Sequence, residues 1–162
     1  MIEYPKYKKV LFCTDFSENA DYAFEFAYGI AKRDEGLLYI LHVIPGNPQE
    51  LLIEKVLPED IKETMNRVIE KDVDTKYKKH YAEKIRDGIS FKVITKFGRA
   101  DEEIIGFAQK EKVDLIVIGT NGETGIERVF FGSVAEKVFR RSPFPVFLIP
   151  CRKKREYSYS DI

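Results

Sequence analysis

The sequence predicts a doubly wound α/β domain with a five-stranded parallel sheet and helices on both faces. Short apolar runs alternate with segments whose apolar residues recur every three or four positions, in the order βαβαβαβαβ. Strands separated by helices pair in parallel, with right-handed crossovers. The second run, Leu37–Ile44, is apolar almost throughout, as a strand covered on both faces should be.

The first half of this pattern begins with strand 1 at Lys9–Cys13 and strand 2 at Leu37–Ile44. Between them, Ser17 is a typical helix N-cap and Gly36 a typical stop. The apolar face of this first helix consists of Ala20, Ala23, Phe24, Ala27, Ile30 and Ala31.

The segment Glu59–Asp87 contains neither glycine nor proline, which predicts helix. The sequence does not decide between one long helix and two helices with a kink. Its charged side is interpreted as solvated surface. Its apolar residues recur at steps of three or four and mark one helical face, namely Ile61, Met65, Val68, Ile69, Val73, Tyr77, Tyr81 and Ile85.

Strand 3, Ile89–Ile94, alternates apolar and polar residues, which favours a half-exposed strand at the edge of the sheet. The next helix follows Gly98 and is expected to turn Ile104, Ile105 and Ala108 inward. The remaining elements are strand 4 at Asp114–Ile118, a helix from Ser133 and strand 5 at Val146–Ile149.

Composition restricts the function classes. The 162 residues suit one domain, residues 1–151, followed by a basic and polar tail, residues 152–162. Lys plus Arg and Asp plus Glu each total 27, and this balance disfavours a nucleic-acid protein that depends on bulk charge. The chain opens with no signal peptide and contains no apolar run of membrane-spanning length. We therefore expect a cytoplasmic protein with neither nucleic acid nor membrane as a partner.

Cysteine and histidine spacing disfavours a structural zinc site. Cys13 and Cys151 are far apart in sequence, and neither His42 nor His80 lies close to them. Both cysteines end predicted strands, so we expect them to pack as small apolar residues. His42 is interpreted as a packed strand-end histidine and not as a base.

The most informative pattern follows strand 4: Gly119 and Gly122, then nine residues, then Gly132-Ser133 before a helix. Glycine lets backbone N–H groups approach an anion, and a helix N-terminus adds unsatisfied donors and a positive dipole end. The pattern therefore predicts a phosphate cradle. The structural alternatives are tight turns at Gly119 and Gly122, close helix packing at Gly132 and helix capping by Ser133.

Two familiar phosphate motifs are absent from the sequence. No Gly-Lys-Ser/Thr of a Walker loop occurs, and the first βα turn, Cys13–Ser17, has no glycine of a dinucleotide-binding fingerprint. Doubly wound sheets bind ligands where the strand order reverses. With strand 3 at an outer edge, strands 1 and 4 flank that crevice, and their loops face each other.

Three motifs together resemble the universal stress protein family. These are the glycine pattern, Thr14-Asp-Phe-Ser17 and Leu41-His-Val43, and the resemblance extends from Lys9 to about Cys151. It implies a strand order 3-2-1-4-5 and a homodimer through strand 5, Val146–Ile149. It also implies an ATP-binding regulatory protein that acts as a stress-linked switch. ATP, or AMP or ADP, would bind with Mg²⁺ or Mn²⁺.

The resemblance assigns roles by position. Thr14 and Asp15 would line the adenosine side, with Asp15 near the ribose or a nucleotide-bound Mg²⁺, although an Asx turn is the alternative for Asp15. Val43 would offer its backbone to the adenine edge. The nucleoside would contact Ile118 and Gly119, and the phosphates would lie among Gly122, Gly132, Ser133 and Val134.

Some positions depart from the family pattern and keep alternatives open. Asn121, Glu123 and Ala135 replace the usual residues, and Glu123 places a negative charge in the loop, with Arg128 as a compensating cation. The sequence shows no placed nucleophile, His–acid pair or lysine for a transition-state charge, so we do not expect an enzyme. The alternatives are an ATP-independent dimeric interaction module and a slow ATPase that needs a partner. Any client protein is unknown.

Overall fold

The computed structural model describes residues 4–46, 56–85, 88–120 and 132–151. Its sheet has five parallel strands in the order β3-β2-β1-β4-β5. The predicted fold class and strand order are therefore confirmed. The strands are β1 Lys9–Thr14, β2 Leu37–Pro45, β3 Ser90–Gly98, β4 Leu115–Gly119 and β5 Val146–Ile149. The proposed boundary between domain and tail stays a prediction, since residues 152–162 lie outside this description.

Helices connect and cover these strands. The helix Glu59–Tyr77 continues directly into a π-helix, Lys78–Ala82. The described part of Glu59–Asp87 is therefore one continuous helical element with a wider last turn. None of the helices in the described ranges is long and apolar enough to cross a membrane. The helices are α1 Glu18–Arg33, α2 Glu59–Tyr77, its π-helical end Lys78–Ala82, α3 Ala100–Glu111 and α4 Ser133–Arg141.

Two separate cores lie on the two faces of the sheet, because side chains alternate along each strand. On β1, Val10 and Phe12 pack with α1 and with Tyr81 of the π-helix. Leu11 and Cys13 point to the other side and pack with α3 and α4.

Helix α1 supplies much of the first of these cores. Its N-cap residue, Ser17, accepts a hydrogen bond from the Ala20 amide at 3.2 Å. The predicted positions Ala20, Ala23, Phe24, Ala27 and Ala31 are all buried, and Ile30 is half-buried.

The apolar face predicted for α2 is buried only near its carboxyl end. Val73 and Tyr81 are buried, whereas Ile61, Met65 and Val68 are 44%, 47% and 63% exposed. A helix buries only the part of its apolar stripe that overlies another element, and periodicity does not tell how far that overlap extends. The predicted apolar residues therefore share one helical face, but its first turns are not covered by another described element.

Both outer strands are where the sequence pattern suggests. β3 forms one edge and extends beyond the predicted run to Gly98, while β5 forms the other edge. Phe147 of β5 remains 41% exposed, with the Tyr7 ring at 6.3 Å. Cys13 is buried as expected, but Cys151 is exposed. The prediction that Cys151 packs as a small apolar residue is therefore wrong, because β5 ends before it, at Ile149.

Candidate functional site

A cavity of about 380 Å³ opens at the carboxyl ends of β1, β2 and β4. It lies between β1 and β4, where the strand order reverses and where doubly wound sheets bind ligands. Its volume is within the usual range for small-molecule sites. Eight of the predicted site residues line it together: Thr14, Asp15, Val43, Ile118, Gly119, Gly132, Ser133 and Val134.

The ninth predicted residue, Gly122, lies outside the described residues, as do Asn121, Glu123 and Arg128. The cavity therefore unites every predicted position that the structure describes. Whether these residues contact a ligand stays a prediction.

Sequence reasoning missed part of the lining. Ala100 and Ile104 are four residues apart on α3 and so lie on one helical face. Ile104 was expected to point inward, but nothing in the sequence showed that α3, which follows an edge strand, reaches the cavity. The lining residues outside the predicted set include Ala20, Leu41, Pro45, Ala100, Ile104 and Thr120.

The inner wall is apolar. Leu41, Ile104 and Ile118 belong to the core on the α3–α4 face, and so does Cys13. Burial raises the pKa of the Cys13 thiol, which keeps it protonated and unreactive. This end of the cavity suits a flat, weakly polar group.

The other end of the cavity is the N-terminus of α4. Gly132 precedes the helix with extended backbone angles, and its N–H donates to the Thr120 carbonyl. The first amides of a helix have no acceptor within the helix, and those of α4 belong to Ser133, Val134 and Ala135, which line the cavity. Together with the helix dipole they favour an anion.

The two polar residues after β1 are held by local hydrogen bonds. The Thr14 hydroxyl lies 2.6 Å from the Tyr81 hydroxyl and accepts the Phe16 amide at 2.9 Å. Asp15 Oδ1 accepts the Ser17 amide at 3.0 Å. Asp15 therefore forms the Asx turn that was its structural alternative, while it also lines the cavity.

Gly119 ends β4 against a buried asparagine. A Cβ added at Gly119 would collide with Asn19 Nδ2 and lie 3.3 Å from the Asn19 carbonyl oxygen. Asn19 is 4% exposed, and its Nδ2 donates to the Ile149 carbonyl at 3.3 Å. Among the described residues, Asn19 Oδ1 has no hydrogen-bond partner. Close packing thus accounts for a glycine at this position, alongside any role in binding.

An ion pair between a buried carboxylate and a half-exposed arginine connects the two helices that line the cavity. The Asp101 carboxylate, near the start of α3, accepts from Arg141 Nη1 at 2.7 Å, at the end of α4. Asp101 is 4% exposed and Arg99 adds a second contact at 3.4 Å. This pair therefore links two helices that both contribute lining residues to the cavity.

His42 lies behind the turn, as a packed residue. Its Nδ1 is 2.8 Å from the Thr14 carbonyl oxygen, and its ring contacts the Phe16 ring at a centroid distance of 4.8 Å. His42 is thus a packed strand residue, as the sequence indicated.

The described residues do not assemble a metal centre of their own. No group of three or more His, Cys, Asp or Glu side chains comes together in residues 4–46, 56–85, 88–120 and 132–151. Asp15 lines the cavity, but one of its oxygens already accepts the Ser17 amide.

Comparison with known proteins agrees with this architecture. A family model described as the universal stress protein family matches residues 6–150. Universal stress protein MJ0531 of Methanocaldococcus jannaschii is 34% identical, and the alignment covers 91% of this chain and 85% of that protein. Universal stress protein MJ0577 of the same organism is also 34% identical, with 88% and 94% covered.

Solved structures show the same relationship. The structure of MJ0577 matches with a TM-score of 0.73 at 30% identity, covering 93% of this chain and 99% of that chain. A universal stress protein in complex with cAMP has the same fold, with a TM-score of 0.58 at 22% identity, covering 90% of this chain and 98% of that one. The extent of the family match and the identity to both relatives place the chain in the universal stress protein family.

Proposed function

We propose that this protein binds an adenine nucleotide in the cavity and acts as a stress-linked regulatory switch. One observation carries the proposal: an apolar slot and a helix N-terminus meet in a single cavity at the point of strand-order reversal. An adenine nucleotide has a flat base at one end and an anionic phosphate at the other. The cavity offers complementary surroundings to each.

The base would lie between the apolar residues of β1, β2 and α3. The pairing of β1 with β2 ends at Thr14 and His42, so the main chain of Val43 lies one residue beyond the last pair on that side. Val43 itself lines the cavity. The main chain of Val43 on this side would meet the hydrogen-bonding edge of adenine.

The phosphates would lie at the N-terminus of α4. Gly132 and Ser133 line the cavity there, and the helix amides supply donors without a positively charged side chain. Mg²⁺ or Mn²⁺ would come with the nucleotide, near Asp15. The fold accommodates an adenine nucleotide in one relative, the universal stress protein solved in complex with cAMP.

A regulatory role fits the chemistry of the described lining better than catalysis. Its ionisable side chains are Cys13 and Asp15. Burial raises the pKa of Cys13, and Asp15 Oδ1 holds the Ser17 amide, so neither is placed as a free nucleophile or base. We therefore propose a binding protein that acts in the cytoplasm through a client yet to be identified.

Isothermal titration calorimetry of the purified chain with ATP, ADP, AMP and cAMP tests nucleotide binding. We expect saturable heat with at least one of them. Ala100→Phe should weaken it by filling the slot, whereas Gln109→Phe, at the exposed far end of α3, should not. The absence of heat at millimolar nucleotide would favour the ATP-independent interaction module. Phosphate release faster than about 1 per second, a common enzymatic turnover, would favour an ATPase.

We also propose a homodimer through β5. Val146–Ile149 is an apolar edge strand between Pro145 and Pro150, and Phe147 is 41% exposed. Unpaired apolar edges commonly acquire a partner. Size-exclusion chromatography with light scattering should give dimer mass for the native chain and monomer mass for Phe147→Asp. Monomer mass of the native chain at tens of micromolar would contradict the dimer.

A further inference from the structure

The turn between β1 and α1 contains an unusual backbone conformation. Phe16 has φ +62°, in the left-handed region that bulky residues rarely adopt. It stands directly between Asp15, which lines the cavity, and Ser17, which caps α1. A residue held in such a conformation persists only when its surroundings determine it strongly. The surroundings of Phe16 therefore control the shape of this wall of the cavity.

Aromatic contacts hold the Phe16 side chain. Tyr81 stacks on it, with ring centroids 5.9 Å apart and planes inclined by 25°. The His80 ring lies at 5.6 Å, and Lys76 Nζ is 6.0 Å from the centre of the Phe16 ring. These three residues come from the end of α2 and its π-helix. A π-helical turn is wider than an α-helical one, which brings neighbouring side chains such as those of His80 and Tyr81 closer in direction.

Hydrogen bonds reinforce this contact. The Tyr81 hydroxyl is hydrogen-bonded to the Thr14 hydroxyl at 2.6 Å, and either oxygen can be the donor. The negative charge of Asp21 acts on the same hydroxyl and favours its protonated form. Thr14 then accepts the Phe16 amide at 2.9 Å. His80 Nδ1 donates to the same Asp21 carboxylate at 2.8 Å.

Tyr81 is suited to this role because it is rigid. Its side chain is fully buried and packs edge-on against Phe12 and stacked on Phe24, with centroids at 5.6 and 4.5 Å. Burial, assisted by the charge of Asp21, raises the pKa of Tyr81, so its hydroxyl stays protonated. The hydroxyl therefore provides a fixed point for Thr14.

We propose that Tyr81 is a positioning residue of the nucleotide site, which it reaches only through the β1–α1 turn. By holding the Thr14 hydroxyl and the Phe16 ring, it fixes the main chain that presents Cys13, Thr14 and Asp15 to the cavity. This inference rests on the proposed nucleotide binding. The π-helix does not line the cavity. Through Tyr81 it nevertheless holds the residues of the β1–α1 turn that do.

The test is Tyr81→Phe in the full chain, which keeps the ring and removes the hydroxyl. We expect the dissociation constant for ATP or AMP to increase about five-fold or more, the equivalent of one hydrogen bond. The matched control is Tyr39→Phe. Tyr39 is also buried and donates to Glu111 Oε2 at 3.0 Å, but it does not line the cavity. This control should lower the melting temperature comparably and leave affinity unchanged.

Thr14→Val separates positioning from direct contact. If the Thr14 hydroxyl acts through Tyr81, Thr14→Val should weaken binding by the same factor, and the double variant by no more than either single one. Additive losses would show that Thr14 itself contacts the nucleotide, which would contradict the role assigned to Tyr81.

Hydrogen exchange of the Phe16 and Ser17 amides provides a readout without ligand. We expect faster exchange in Tyr81→Phe than in Tyr39→Phe. Normal affinity of Tyr81→Phe, with a native chain that binds, would overturn the positioning role and leave the proposed function intact. A native chain that binds no nucleotide would overturn the proposed function. If Tyr81→Phe also leaves the exchange rates of the Phe16 and Ser17 amides unchanged, the claim that Tyr81 holds the β1–α1 turn is overturned as well.

Discussion

Gly119→Ala should destabilise the protein although the backbone there suits any residue. Gly119 is absent from the positive-φ positions of the described chain, so steric contact alone opposes the substitution. The new Cβ would collide with the Asn19 side chain, which must shift and weaken its 3.3 Å bond to the Ile149 carbonyl. Overpacking costs roughly 1–3 kcal/mol and a weakened buried hydrogen bond about 1 kcal/mol. The sum is about 2–4 kcal/mol.

Urea unfolding followed by circular dichroism measures this loss. For a domain of this size, each kcal/mol lowers the melting temperature by roughly 2–4 °C, so thermal melts give a second readout. The control is Gly106→Ala in α3, where an added Cβ would meet nothing within 4 Å. It should stabilise the protein by about 0.5–1 kcal/mol, since alanine favours a helix interior.

A double-mutant cycle identifies Asn19 as the cause. In an Asn19→Ala background the colliding amide is gone, so we expect Gly119→Ala to cost less than about 1 kcal/mol. If Gly119→Ala is as stable as the native chain, or costs the same in both backgrounds, then close packing against Asn19 does not explain this glycine.

Two further outcomes concern ionisable groups. Burial raises the pKa of the Cys13 thiol, whereas Cys151 is exposed. A disulfide reagent at pH 8 should therefore modify only Cys151 rapidly in the native chain, and both thiols in urea. The native Cys151→Ser variant should show no rapid reaction. Rapid modification of both would refute this. Hydrogen bonds from Arg33, at 2.7 Å, and from the Tyr7 amide, at 2.8 Å, lower the pKa of Asp34 below its ordinary value. The stabilisation it provides is present above about pH 4 and is lost as pH falls. Asp34→Asn should therefore lower the urea midpoint more at pH 7 than at pH 3, where part of the stabilisation remains because the folded-state pKa lies lower still, and an equal loss at both would contradict this.

Much of the fold follows from periodicity and from glycine and proline positions. The two outer strands were recognisable because β3 alternates and β5 lies between prolines. Ser17 was recognisable as an N-cap because capping depends on residues close in sequence. The extent of burial along α2 could not be recognised from the sequence, since it depends on which part of the helix overlies the sheet.

The candidate site was predictable to the extent that it is built from strand ends. Residues at the carboxyl ends of parallel strands meet by necessity, so Val43, Ile118 and Gly119 lie together. The bond between Thr14 and Tyr81 joins residues 67 positions apart, and its geometry depends on a π-helical end that no pattern indicated. Likewise, Asn19 is polar beside an apolar stripe, and only tertiary packing shows that it lies against Gly119.

The alternation of side chains along β1 separates two tasks. Leu11 and Cys13 face the compartment that supplies most of the apolar wall of the cavity, whereas Val10 and Phe12 face the compartment that anchors α1 and contributes Ala20 to the cavity. Main chain lies between the two compartments. Substitutions that reshape the ligand chamber through Cys13 therefore leave the packing around Phe12 in place, although the two residues are sequence neighbours.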